Sequence, residues 1–287
     1  MNLKKLIVNN YTTFNRCELD ISSGINVLVG ENGTGKTHLL KLLYSGIMSA
    51  GGRVSFANKL VRTMLPVQMK INRLVNRSTE FRKCNIEIAS DYARLGMEFD
   101  EQTTKWNAIE TGVYEWEKEL SDVHAVFIPT KEVLSNNYNL NAAVERGNVE
   151  FDDTYLDILN AAKIDVSKPT STKQKDRMLA EIENIVGGKV LYEPSVDTFF
   201  LEKENGKEEF NLVSEGIRKL SLLWLLVKNG VLEKGSVLFW DEPEANINPA
   251  VIPVIAKLIM ILNRNGVQVF IATHDYFLCK YLEVERK

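Results

Sequence analysis

Gly30-Glu31-Asn32-Gly33-Thr34-Gly35-Lys36-Thr37 matches G-x-x-x-x-G-K-[ST], the pattern of a loop that closes around phosphates. The residues before it, Ile25-Asn26-Val27-Leu28-Val29, read as a buried strand. Those after it, His38-Leu39-Leu40-Lys41-Leu42-Leu43, read as the start of an amphipathic helix. Strand, glycine-rich turn and helix, in that order, form the context the pattern requires. Glycines let such a loop curl until successive N–H groups point inward, and the helix adds the positive end of its dipole. Lys36 is then expected to reach the β- and γ-phosphates and the Thr37 hydroxyl to ligate Mg²⁺. A plain glycine-rich turn is the alternative, and the flanking elements weigh against it.

The rest of the expected site follows the late apolar runs. Ser236-Val237-Leu238-Phe239-Trp240 and Val267-Gln268-Val269-Phe270-Ile271-Ala272, bounded by Gly235 and Gly266, have the continuous apolar character of parallel strands buried on both faces. The first ends in Asp241-Glu242-Pro243. A carboxylate at the carboxyl end of such a strand is placed to hold Mg²⁺, so Asp241 is the expected metal ligand beside Thr37. Glu242, one step further out, is the expected general base. The second strand ends in Thr273-His274-Asp275, and His274 is expected to bond the γ-phosphate. Upstream, Ser214-Glu215-Gly216 precedes an apolar helix, residues 221–227; Ser214 makes a good N-cap, and a helix start is an anion site. Taken alone, that segment is only a capped helix.

Bulk properties bound the reading. The chain has 287 residues, 45% hydrophobic and 25% charged, which suits one large domain or a domain with an insertion. No apolar stretch approaches the length of a membrane span, and the N-terminus turns polar at Asn9, unlike a secretory signal. A cytoplasmic location and no membrane partner are expected. Cys17, Cys84 and Cys279 lie far apart, without zinc-site or disulfide spacing, and are expected to be reduced. The net charge is -3, yet residues 51–84 hold Arg53, Lys59, Arg62, Lys70, Arg73, Arg77, Arg82 and Lys83 against one acid, Glu80. Such a stripe suits nucleic acid, an acidic protein or a solvated helix face.

Along the chain, strands are expected at residues 3–8, 17–21 and 25–29, then a helix to about Met48, stopped by Gly51-Gly52. A helix over residues 59–75 carries the basic segment. Strands follow at 85–90, 94–99 and 123–128, and residues 139–185 read as mostly helical, broken at 168–172. Strands at 190–192, 197–202 and 208–212 include a hairpin signal at Asn205-Gly206.

Together the motifs resemble those of the ABC-type ATPase head in its soluble branch, which includes SMC-like proteins, RecF and the OLD-family and related AAA ATPases of bacterial defence. The resemblance covers nearly the whole chain. It implies an α/β P-loop NTPase fold: an ABC-ATPase head with a mixed sheet, an antiparallel β subdomain and a helical insertion. Residues 1–287 would form one such domain, with an inserted basic helix and β subdomain at 51–123 and a helical insertion at 133–188. It implies Gly30, Glu31, Asn32, Gly33, Thr34, Gly35, Lys36 and Thr37 as Walker A, with His38 at the position of a second threonine. Asp241 and Glu242 become Walker B and its catalytic base, His274 the switch histidine, and Ser214 to Gly216 the signature segment. Glu244-Ala245-Asn246-Ile247-Asn248-Pro249 looks like the D-loop, with Asn246 near a dimer seam. Phe127-Ile128-Pro129-Thr130-Lys131-Glu132-Val133-Leu134-Ser135 is similar to a segment of defence-associated members, where transporters carry the Q-loop glutamine. No glutamine lies near Pro129, which leaves that role open between Lys131 and Glu132. Tyr11 and Phe14 are candidates to stack on adenine. Relatives usually continue past the helix that follows His274, so a further C-terminal region is expected.

The implied activity is hydrolysis of ATP with Mg²⁺ by two heads closing face to face, a homodimer with nucleotide sandwiched between Walker A and the partner's signature. Three function classes follow. One is an ATP-gated component of anti-phage defence that holds an effector such as a nuclease, favoured by residues 129–135. Another is a repair or recombination ATPase that binds DNA through Arg53 to Lys83. The third, a small-molecule P-loop kinase, is opposed by Glu242, Ser214 and His274.

Overall fold

Three strands open the chain: β1 (Leu3–Tyr11), β2 (Phe14–Asp20) and β3 (Ile25–Val29). The computed structural model describes residues 1–78, 83–132, 134–136, 151–163 and 172–285. Arg82 of the basic segment, and residues 137–150 and 164–171 of the expected helical insertion, lie outside the described residues. The chain divides into two units, Met1–Ala125 with Phe270–His274, and Val126–Val269 with Asp275–Lys287.

In the first unit, β1 and β2 join β4 (Lys83–Ser90), β5 (Arg94–Asp100) and β6 (Ile109–Thr111) in an antiparallel sheet of order β2-β1-β4-β5-β6. Alternation decides its faces: Cys84, Ile86 and Ile88 of β4 and Leu95, Met97 and Phe99 of β5 are buried while their neighbours are half-covered or exposed. Helix α1 (Lys36–Ser49) lies close to this sheet at Gly46, where a Cβ would come within 2.6 Å of Ile88 Cδ1 and the isoleucine would have to shift. The indole of Trp116, on α3 (Val113–Leu120), donates to the Gly46 carbonyl at 2.7 Å.

The expected basic helix over residues 59–75 is shorter and begins earlier. Helix α2 runs Phe56–Met64, opened by the Ser55 hydroxyl, which accepts from Asn58 N–H, and closed by Leu65 in the left-handed region (φ 46°). Pro66 cannot continue the hydrogen-bond ladder and restricts the residue before it, and the chain proceeds in single 3₁₀ turns at Val67–Met69 and Ile71–Leu74. β6 and α3 were not anticipated, because three residues of strand and eight of helix carry little periodicity.

In the second unit, β8 (Lys189–Glu193), β9 (Thr198–Lys203) and β10 (Gly206–Glu209) form an antiparallel sheet, with Gly206 facing Lys203 across the expected hairpin turn. Helices α4 (Asp153–Lys163) and α5 (Lys173–Val186) occupy the described part of the expected insertion; the Thr172 hydroxyl caps α5 by accepting from Lys175 N–H at 3.2 Å. Next come α6 (Glu215–Lys228), starting six residues before the expected apolar helix, then β11 (Val237–Asp241), α7 (Ile252–Arg264), β12 (Gln268–Thr273) and α8 (Tyr276–Glu285).

Strand β7 runs Ala125–Ile128. Every residue of β11 and β12 is buried, as their continuous apolar sequence requires. β3, read from sequence as a buried strand, is half-covered, with Val29 63% exposed.

Candidate functional site

Residues 30–37 turn on backbone conformations that glycine supplies: Gly33 has φ 82° and Gly35 φ 93°. A Cβ on Gly35 would collide with Thr13 Oγ1 and come within 2.6 Å of the Phe14 ring. The loop is tied internally by Thr34 Oγ1, which donates to the Glu31 carbonyl at 2.9 Å, and externally by Thr13 Oγ1, which donates to the Thr34 carbonyl at 3.4 Å. The Lys36 ammonium curls back onto the loop and donates to the carbonyls of Gly30 at 2.7 Å and Glu31 at 2.8 Å. Gly35 begins α1 without any side-chain cap, while Glu31, Asn32, Gly33 and Thr34 are exposed. An uncapped helix start, a cation already in the loop and open backbone fit a polyphosphate.

The loop's packing partner is the two-residue turn between β1 and β2. Thr12 takes φ 48° there, an unusual conformation for a β-branched residue. Thr12, Thr13 and His38 share a cleft of about 610 Å³ with Arg73, Asn76 and Arg77, which brings part of the basic segment beside the phosphate loop. Thr12 Oγ1 and His38 Nδ1 are buried without a hydrogen-bond partner among the described residues, and buried polar atoms in that condition fit a polar ligand. Burial, then the charge of Lys41, lowers the His38 pKa below 6.5. Of the two aromatic candidates for stacking, Tyr11 is 0% exposed and burial drives its phenol well above the ordinary range, so it is a core residue. Phe14 packs on Gly35.

In the second unit, Asp241 closes β11 and is 6% exposed. Its carboxylate accepts from Thr130 Oγ1 at 3.2 Å. Tyr155 of α4 lies within its field; burial, then the charges of Asp152 and Asp241, push the phenol up to about 12. Thus the segment after β7 reaches Asp241 through Thr130, rather than through Lys131 or Glu132. Glu132 turns the other way. It is 5% exposed and meets Arg218 of α6, itself 16% exposed, with Nε–Oε2 at 2.9 Å, and it also accepts from Ser135 Oγ at 2.7 Å. Arg218 further donates to the Val213 carbonyl at 2.6 Å, and the next residue, Lys219, reaches the carbonyl of Ala245. Burial lowers the Lys219 pKa against the pull of Glu215, Glu244 and further carboxylates.

Glu242 is half-buried, with φ 46°, and Asn246 is exposed, with φ 59°, two left-handed non-glycine residues within five positions. Ser214 occupies the N-cap of α6 but makes no side-chain cap bond, contrary to the sequence expectation, and it is exposed. A Cβ on Gly216 would meet only Ile247 at an ordinary 3.5 Å, so the chain's own packing does not demand glycine there. His274 is exposed, directly after the fully buried Thr273, and belongs to the same unit as residues 30–37. The three cysteines are free thiols. Thr12, Thr13, Thr130, Tyr155 and Arg218 escaped the sequence reading; only the two threonines, in a hairpin turn that ordinarily takes Asn-Gly, left a signal.

Among the described residues, no helix is long and apolar enough to cross a membrane. The chain resembles solved SMC heads over 98% of its length: the SMC head bound to the C-winged helix domain of ScpA (TM-score 0.62, 13% identity, 92% of that chain) and the SMC head domain from Thermotoga maritima (TM-score 0.56, 14% identity, 92% of that chain). Shorter stretches match proteins named DNA replication and repair protein RecF. The one from Clostridium botulinum (strain Eklund 17B / Type B) is 30% identical over 91 residues, 32% of this chain and 25% of that protein. The one from Aliivibrio fischeri is 41% identical over 44 residues, 15% of this chain and 12% of that protein. The matched stretch thus spans a quarter or less of these relatives. A family described as "AAA domain, putative AbiEii toxin, Type IV TA system" (AAA_21) matches residues 85–280, well over half of the chain. With that match the chain belongs to the AAA_21 family, and its α/β P-loop architecture is like that of SMC heads.

Proposed function

We propose that this chain hydrolyses ATP as a nucleotide-driven dimerisation switch and serves as the ATPase component of an anti-phage defence system. The observation that carries the switch is the signature segment: Ser214 presents an exposed hydroxyl unused as a cap, and Gly216 is a glycine that the chain's own packing does not need. Both make sense if a second copy brings its bound triphosphate against this helix start. The defence role is supported by the family's printed link to the AbiEii toxin and type IV systems.

In this reading residues 30–37 hold the phosphates, with Lys36 leaving its loop carbonyls for the β- and γ-phosphate oxygens. Thr37 and Asp241 hold Mg²⁺, which would supply charge neutralisation on the phosphates. Glu242 accepts a proton from water as the water oxygen bonds to the γ-phosphorus and the bond to the bridging oxygen of ADP breaks. His274 bonds the γ-phosphate, and Thr130 holds the Asp241 carboxylate in orientation.

The test is the mass in solution of the Glu242→Gln protein, a 32.6 kDa chain, with and without ATP and Mg²⁺. A shift to twice the monomer on adding ATP is expected, with phosphate release slowed at least about 100-fold. Lys36→Ala is expected neither to bind nor to dimerise. A Glu242→Gln protein that stays monomeric with nucleotide bound would overturn the switch.

A DNA-acting role in repair has its own support: the RecF relatives by name, and the exposed Arg73 and Arg77. Charge reversal at both distinguishes the readings. Lost duplex binding with intact hydrolysis favours DNA; duplex binding unchanged or absent from the start favours a protein effector.

A further inference from the structure

Two of the basic residues, Arg53 and Arg62, do not join Arg73 and Arg77 beside the phosphate loop. Arg53 precedes α2 and Arg62 lies in its last turn, and both line a separate cleft of about 550 Å³ with Asn58 of the same helix and with Lys105, Trp106 and Glu110 from the β5–β6 side. Glu110 is the one carboxylate among the residues lining it. Its oxygens accept from the N–H groups of Ala57 at 2.8 Å and Phe56 at 3.3 Å, so its charge is already committed to the start of α2. Arg53 and Lys105 set the charge of the opening.

Trp106 is 77% exposed, whereas Trp116, Trp224 and Trp240 are 1%, 5% and 0% exposed. Lys105 Nζ lies 5.0 Å from the Trp106 ring centroid, which steadies one face of the indole by a cation–π contact. A large planar apolar surface held open among guanidinium and ammonium groups suits a ligand that is itself half planar ring and half anion. The volume falls within the roughly 300–1,000 Å³ of small-molecule sites. An acidic peptide would satisfy the cations but leave the indole without a ring to stack on.

We propose that this cleft binds a nucleoside phosphate unit, with its base stacked on Trp106 and its phosphate held by Arg53 and Lys105. Asn58 supplies an amide for the base edge or the sugar. The unit comes either from a free mononucleotide or from an unpaired nucleotide in a strand. None of the cleft's residues lies in the 30–37 loop or lines the cleft at Thr12, and the inference stands apart from the ATPase reading.

The full-length protein is titrated with thymidine 5′-monophosphate, with an eight-nucleotide oligodeoxythymidylate and with oligoglutamate, following tryptophan fluorescence; binding of labelled octamer is followed separately by anisotropy. Thymidine 5′-monophosphate lacks the β- and γ-phosphates that Lys36 would take, and Lys36→Ala serves as control. Saturable quenching by a nucleotide probe at or below about 1 mM is expected. It should persist in Lys36→Ala and fall at least tenfold in Arg53→Glu/Lys105→Glu. Trp106→Phe should retain octamer affinity and Trp106→Ala lose roughly tenfold. Affinities for monophosphate and octamer within tenfold of each other identify a free mononucleotide, and binding of the octamer alone identifies a strand. Absence of quenching and anisotropy change with both nucleotides overturns the proposal. So does quenching by oligoglutamate equal to that by nucleotides, or an unaffected Arg53→Glu/Lys105→Glu protein. Trp106 is so exposed that its variants should fold, as circular dichroism would verify.

Discussion

At residues 30–37 the structure is set by backbone, shaped by glycines at φ 82° and 93° and braced by a turn some twenty residues upstream. In the second unit the contacts are made by side chains: Thr130 donates to Asp241 across 111 positions, and Glu132 pairs with Arg218 across 86. A backbone cradle tolerates many side chains but almost no change of chain path. A side-chain network tolerates changes of path but depends on every partner. The two halves should therefore break differently, and substitutions can ask whether they do.

The largest effect is expected at the buried pair. Arg218→Ala leaves Glu132 without its cation and should destabilise the protein by about 3–5 kcal/mol in urea unfolding, and Glu132→Ala/Arg218→Ala should cost less than the sum of its single changes. Strict additivity would mean the two charges do not act as a pair. Next, Gly35→Ala forces a Cβ into Thr13 and Phe14 at positive φ. It should cost about 1–3 kcal/mol and abolish nucleotide binding measured by calorimetry. Retained binding would show that the loop has room to yield. Thr130→Val removes one donor to Asp241 and should lower turnover about tenfold with nucleotide affinity little changed, while Thr130→Ser restores it. Equal loss in both variants would point to packing instead.

The smallest effect is a titration. The pKa of His38 is lowered in the folded state, so the unfolded chain binds more protons. The stability His38 contributes is full above about pH 6.5 and is lost as the pH falls through the folded value. His38→Gln should flatten the decline in stability between pH 7 and 5, as urea unfolding at a series of pH values would read. Parallel curves would remove His38 as its source.

This contrast also explains what could be read beforehand. The strand, loop and helix at residues 25–49 obey local rules, since glycine spacing and hydrophobic period act within a few residues. Asp241 and Glu242 were readable for the same reason: a buried strand must end somewhere, and its last residues are polar. Thr130 was not, because a single threonine gains its meaning from a strand 111 positions later. The basic segment misled in another way. Its charge was counted correctly, but Pro66 broke the helix that would have made it one stripe, and its arginines serve two different clefts.

Glu242 lies in the left-handed region, where a side chain larger than glycine is held at a cost of about 1 kcal/mol or more. Glycine at position 242 would relax that bond rotation and give a chain harder to melt and, if Glu242 is the base, unable to turn over. Selection for heat resistance alone would drift toward that substitution, and a library sorted on folding and then on hydrolysis would find it enriched in the first sort and absent from the second.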